Sequence, residues 1–204
     1  MTPLRLVLVR HGQTTANALG ILDTRLPGHP LTEVGHRQAA DLAQRLAGEP
    51  VVGVYASRAL RARQTAQPIA TRHRQTAQVL DGVHEVFIGD LEGCQTPEDH
   101  RILHEMYHAW HGGDLEAARP GGESGKQVLD RYLAGVAAIR GAHPAGTAVL
   151  VSHGAATRLA VVALAANVDG SFAAPRLLPN AATVLLEAEG AGWRCLRWDG
   201  IELA

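Results

Sequence analysis

Two stretches of the chain repeat one short pattern: LVLVRHGQT (residues 6–14) and AVLVSHGAAT (residues 148–157), each an apolar run that ends on His-Gly. A run of that kind is a strand, and His-Gly then stands where the strand gives way to a helix. In an open α/β sheet, ligands bind off the carboxyl ends of the strands, so His11 and His153 fall where a site belongs. A lone histidine is more often a satisfied structural side chain, but two in matched contexts point to chemistry. Helix starts also present unpaired N–H groups suited to an anion.

Arginines supply the company. Arg10 adjoins His11, and the segment SRALRARQTA (residues 57–66) brings Arg61 to the start of another helix. Guanidinium groups grip phosphate oxygens in pairs. Positive charge nearby keeps an imidazole neutral and therefore nucleophilic, and it stabilises charge on a phosphoryl group in transfer.

The elements that must position these residues read as follows. Leu4–Val9 is a buried strand; a helix capped by Thr32 runs to about Leu46; Val51–Ala56 is a strand and Leu60–Arg72 a helix. A short strand region covers Val79–Leu80 and Val83–Phe87. Helices are expected near Arg101–His111, from Val128 to Ile139 and over Ala155–Ala166, with a strand at Thr147–Val151. Thr183–Ala188 and Arg194–Trp198 form a hairpin. The alternation implies an α/β fold, a three-layer α/β/α sandwich with a mainly parallel sheet. One domain spans residues 1–204. Residues 92–121, polar and rich in histidine, form a helical and loop insertion covering the active site.

Six segments then resemble, in order, the motifs of the histidine phosphatase superfamily, the group that includes phosphoglycerate mutases and many small phosphatases. They are RHGQTTAN, PLTEVGHRQA, SRALRARQTA, EVFIGDLEG, RPGGES and VSHGAATR. The resemblance implies that His11 is a nucleophile forming a phosphohistidine, with Arg10, Arg61 and His153 holding the phosphoryl oxygens. It implies that Asn17 and Gly154 line the same pocket, and that Glu85 is the proton donor to the leaving oxygen, a role that needs a carboxyl held partly protonated. Glu92 is assigned a structural part. The chain departs from the pattern at Ile88, Leu91 and Ala155, which are packing positions. It departs again near Asp23-Thr24-Arg25, where Thr24 is the residue able to meet phosphate.

A competing motif is His104-Glu105-Met106-Tyr107-His108, a literal H-E-x-x-H with His111 one turn on. In a zinc hydrolase its histidines would share a helix face. His111-Gly112-Gly113 is out of register for the extended form of that motif. The preferred reading puts this helix over the phosphate site, where Arg101, His104 or His108 meets a polar substrate; the alternative is a solvated face. The resemblance places the loop of His29 at the border of the site, open to a substrate contact, while His36, His73 and His143 default to solvent exposure.

Composition bounds the rest. The net charge is −1, with 46% apolar and 19% charged residues, as in an ordinary globular domain with no polyanion-binding surface. Nucleic acid and membrane are therefore not expected partners, and a small phosphorylated substrate is. Cys94 and Cys195 lie far apart with no CxxC, so neither a disulfide framework nor a cysteine metal site is indicated. Trp110, Trp193 and Trp198 read as packing residues. No metal or cofactor is expected, the location expected is cytoplasmic, and a homodimer is only the common assembly of such folds.

The function expected is a phosphomonoesterase. A mutase is disfavoured because residues 92–121 hold only Arg101 and Arg119 and no lysine to meet a bisphosphate. A non-catalytic phosphate-binding module is disfavoured because such a pocket needs no proton donor like Glu85.

Overall fold

The computed structural model describes residues 3–203. Its strands are β1 (Leu4–Arg10), β2 (Val51–Ala56), β3 (Gln78–Val79), β4 (Gly146–Ser152), β5 (Thr183–Glu189), β6 (Gly192–Trp198) and β7 (Ile201–Glu202). The principal helices are α1 (Thr15–Leu19), α2 (Glu33–Arg45), α3 (Leu60–Arg72), α4 (Pro97–His111), α5 (Gly125–Ala142), α6 (Gly154–Leu164) and α7 (Gly170–Ala173).

All seven strands form one sheet in the order β3-β2-β4-β1-β5-β6-β7. The pairings from β3 to β1 are parallel, and those from β1 to β7 are antiparallel. The sheet is therefore mixed, and the expected parallel character holds for the half that carries the site. The hairpin read from the sequence is β5–β6, and it accounts for much of the antiparallel half. The expected strand over Val83–Phe87 does not form. Val83 and Val86 are fully buried, but Arg131 takes the carbonyls of Gly82, His84 and Glu85 that a strand would have paired.

β1 explains the layering. Leu4, Leu6 and Leu8 point into one core with residues of α4, α5 and α6, whereas Val7 and Val9 point into a second core with α2 and α3. A strand buried on both faces has no need of polar alternation. The apolar positions of α4, Leu103, Met106, Tyr107 and Trp110, are buried in the larger core, so the helix of the 92–121 segment is packed as a core element. Trp110 also donates from Nε1 to the Ala117 carbonyl (2.7 Å). Trp193 and Trp198 are buried as packing residues. Among the described residues no helix is long and apolar enough to cross a membrane.

The register of β1 on β4 pairs Arg10 with Ser152, so His11 and His153 leave neighbouring strand ends side by side. The loop after β1 is pressed against the start of α2. A Cβ on Gly12 would lie 2.6 Å from the Gly35 carbonyl oxygen, and one on Gly35 would lie 2.1 Å from that of Gln13. Both are backbone contacts that cannot swing away. Gly35→Ala is expected to cost about 1–3 kcal/mol as an overpacking substitution. Thermal denaturation should show this as a fall of about 2–4 °C in Tm per kcal/mol lost.

Candidate active site

His11 follows β1, is 4% exposed, and has both ring nitrogens engaged. Nδ1 lies 2.8 Å from the Gly12 carbonyl oxygen, which can only accept, so Nδ1 carries the proton. Nε2 is then the unprotonated nitrogen, and it accepts from Arg61 Nε at 3.2 Å. Burial, followed by the charges of Arg61 and Arg10, holds His11 well below the usual histidine range. The ring is thus a neutral imidazole of fixed tautomer with its lone pair among guanidinium groups.

His153 precedes α6 and packs edge-on against His11, with ring centroids 5.2 Å apart. Its Nε2 meets Ser57 Oγ at 2.7 Å, while Nδ1 is buried with no hydrogen-bond partner. Burial, then Arg61 and His11, likewise keep it neutral. Arg10 donates to the Leu178 carbonyl (2.5 Å) and its side chain crosses Gly154, where a Cβ would lie 3.4 Å away.

Arg61, at the start of α3, is 2% exposed. Its Nη1 lies 3.5 Å from Asp23 Oδ2. Gly28 makes the space: its φ of +75° is the left-handed region, and a Cβ there would fall 2.1 Å from Arg61 Nη1. No other residue type fits both conditions.

Glu85, in the irregular 83–87 stretch, faces this cluster with its carboxyl held by the start of α6. Its Oε1 accepts from the Ala156 and Val86 N–H groups (2.9 and 3.0 Å), and Oε2 from that of Ala155 (3.1 Å). A carboxylate offers about four lone-pair sites, so Oε2 keeps one to spare. Behind it, Arg131 pairs with Glu123 and binds the Glu85 carbonyl (3.0 Å). The RPGGES segment therefore supports the carboxyl from outside the cavity.

These side chains share one cavity of about 380 Å³, within the range of roughly 300–1,000 Å³ typical of small-molecule sites. Arg10, His11, Asn17, Thr24, Arg61, Glu85 and Gly154 all line it. His153 stands behind His11, fully buried. Thr24 borders the cavity, but its hydroxyl donates to Glu92 (2.6 Å), and its backbone N–H does the same (2.7 Å). Glu92 thus anchors the loop, and Asp23 is the residue through which that loop meets Arg61.

Several lining residues carried no sequence signal. Asn180 donates to the His11 carbonyl (3.2 Å) and to Asn17 Oδ1 (3.0 Å), although it comes from a loop without a motif. Ser57, which follows β2 and meets His153, lies within SRALRARQTA and is not among the expected site residues, although its place just past a strand end is the signal that could have found it. Tyr107 and Arg158 also line the cavity.

The H-E-x-x-H residues do not converge. Glu105 pairs with Arg101, and no group of three or more His, Cys, Asp or Glu side chains among the described residues is arranged to hold a metal ion. His104 lines the cavity, as does His100, whose Nε2 lies 2.8 Å from the Gly20 carbonyl oxygen. His29 is paired with Asp23 (3.1 Å) and does not line the cavity. His143 is not left to solvent, since it meets the Tyr55 hydroxyl at 2.8 Å.

Comparison with known proteins agrees with this geometry. The family model described as histidine phosphatase superfamily (branch 1) matches residues 6–200. The chain belongs to that superfamily. It is 32% identical over 200 residues to a metal-independent phosphoserine phosphatase of Arabidopsis thaliana, covering 96% of this chain and 81% of the relative. It is 33% identical to the PE-PGRS family protein PE_PGRS11 of Mycobacterium tuberculosis, matching 95% of this chain but only 36% of that protein's length. The structure of a mycobacterial glucosyl-3-phosphoglycerate phosphatase with VO3 superposes with a TM-score of 0.84 at 27% identity, covering 97% of this chain and 99% of the other. The histidine phosphatase family with its phosphatase-named members supports a hydrolase.

The buried histidines give the site a pH signature. His11, His153 and His111, the last pulled down to about 4, are held neutral in the folded chain mainly by burial. The unfolded chain protonates histidine near pH 6.5 and so binds more protons below that value. Their contribution to stability is full above pH 6.5 and declines as pH falls toward about 4. Urea midpoints should therefore drop between pH 7 and pH 5, and the His11 and His153 ring signals in NMR should stay in the neutral form across that interval.

Proposed function

We propose that the protein is a phosphomonoesterase that hydrolyses a small phosphorylated metabolite through a phosphohistidine on His11, with water as the final acceptor. The observation that carries the reading is the fixed tautomer of His11: with Nδ1 tied to the Gly12 carbonyl, the lone pair on Nε2 is the only ring group left to attack.

A phosphate entering the cavity would exchange the Arg61 Nε contact from His11 to a phosphoryl oxygen, and so uncover the nucleophile as the substrate is gripped. Arg10 and His153 would share the oxygens. Nε2 then forms a bond to phosphorus while the bond to the ester oxygen breaks, and the Glu85 carboxyl passes its proton to that oxygen. In the second half, Glu85 takes a proton from water as the water oxygen bonds to phosphorus. The N–P bond breaks, releasing phosphate and restoring neutral His11. Most of the catalysis is positioning and charge stabilisation. The relatives named as phosphatases of phosphoserine, α-ribazole phosphate and glucosyl-3-phosphoglycerate support a small-metabolite substrate.

Turnover of p-nitrophenyl phosphate with EDTA present tests the reading. Activity should survive EDTA, fall to background in His11→Ala, and fall about 10²–10⁴-fold in Glu85→Gln with a substrate whose leaving alcohol needs a proton. Loss of turnover in EDTA, or its retention in His11→Ala, would overturn it. Formation of 2-phosphoglycerate from 3-phosphoglycerate, stimulated by bisphosphoglycerate, would favour a mutase instead.

A further inference from the structure

Beyond the phosphate grip, the cavity continues under α4. A second space of about 170 Å³ shares His104, Tyr107, Arg158 and Leu177 with the first and adds His108 and Pro175. Two of the shared residues are more than nine-tenths buried, Arg158 at 5% and Tyr107 at 9% exposure. Arg158 spends Nε and Nη2 on the carbonyls of Ala173 and Ala174, with the closest contact at 2.6 Å. Its Nη1 and the Tyr107 hydroxyl have no hydrogen-bond partner among the described residues. No carboxylate forms an ion pair with Arg158 there either.

The free guanidinium edge and the phenol therefore present unused donors to the cavity they line, and an anionic oxygen group there would complete both. Arg158 lies four residues beyond Gly154 on α6, a rise of about 6 Å along the helix. It lines the same cavity as Arg10 and Gly154 at the helix start. That separation suits a group a few bonds from the phosphoester. We infer that Tyr107 and Arg158 form a leaving-group subsite for an anionic oxygen group on the released alcohol, with His104 and His108 at its mouth. The H-E-x-x-H helix thus serves the site through Tyr107 and its two histidines. The inference rests on the phosphatase reading for its link to turnover. A single guanidinium edge and one phenol match the charge of a carboxylate, and a second phosphate would use the same donors.

The test compares 3-phosphoglycerate with glycerol 3-phosphate, which differ in a carboxylate against a neutral CH2OH, and adds glycerol 1,3-bisphosphate as the second-phosphate arm. The wild type should prefer one of the two substrates with an anionic tail over glycerol 3-phosphate by about tenfold or more in kcat/KM, because a site built to bind a group rejects the analogue without it. Which of the two is preferred identifies the anion. Tyr107→Phe should lower that ratio about threefold and Arg158→Gln should bring it near one. A purely structural effect would depress both substrates together and leave the ratio unchanged. Since Arg158 also holds two backbone carbonyls, Tyr107→Phe keeps the test decisive if Arg158→Gln fails to fold. A ratio near one in the wild type, or one preserved in the variants, overturns the subsite while p-nitrophenyl phosphate turnover upholds the phosphatase reading. If that ester is not hydrolysed, the phosphatase reading falls alone, and the ratio of dissociation constants for the same pair, by calorimetry, decides the subsite.

Discussion

The hydrogen bond from His11 Nδ1 to the Gly12 carbonyl, with Arg61 Nε on the opposite nitrogen, is the constraint from which the rest of the site follows. An imidazole in water exchanges tautomers and rotates; here a one-residue loop bond fixes one tautomer and a buried guanidinium fixes the ring direction. Burial beside two arginines then opposes protonation, because desolvation and the charges of Arg61 and Arg10 all disfavour a positive ring. The same positive field that keeps the ring neutral is the field that draws in a phosphate. In the proposed reaction, attraction for substrate and activation of the nucleophile are one electrostatic arrangement.

Holding that arrangement demands close backbone approaches, and glycines provide them. Gly12 and Gly35 let the loop after β1 rest on the start of α2, and Gly28 lets a loop pass against the Arg61 guanidinium. Gly89 and Gly122 serve the far wall in the same way: a Cβ on Gly89 would meet the Pro120 carbonyl oxygen at 2.1 Å, and one on Gly122 would meet that of Phe87 at 2.6 Å. Through this contact the 119–124 segment, Glu123 and Arg131 brace the stretch that presents Glu85. The Glu85 carboxyl is therefore positioned from two sides, by the start of α6 in front and by this brace behind.

Much of this was legible in the sequence because strand ends and helix starts are local features. The two apolar runs ending in His-Gly located His11 and His153, and the motif order located Arg61 and Glu85. Other parts depend on long-range pairing and left no local trace. Residues 83–87 have the composition of a strand, yet Arg131, far along the chain, claims their carbonyls. Asn180 reaches His11 only because the antiparallel β5 returns beside β1. The H-E-x-x-H spacing is present, but its glutamate is paired to Arg101 within its own helix, and the apolar residues between the histidines carry α4 into the core.

The central claim is that the phosphoryl group rests covalently on His11 between substrate and water. Rapid acid-free quench of the enzyme during turnover of p-nitrophenyl phosphate, followed by intact-mass and peptide mass spectrometry, tests it directly. A single acid-labile phosphoryl group should appear on the peptide containing His11, be absent in His11→Ala, and accumulate in Glu85→Gln, where removal by water is slowed. Steady turnover with no phosphoryl group on His11, or with the group on another residue, would contradict the account.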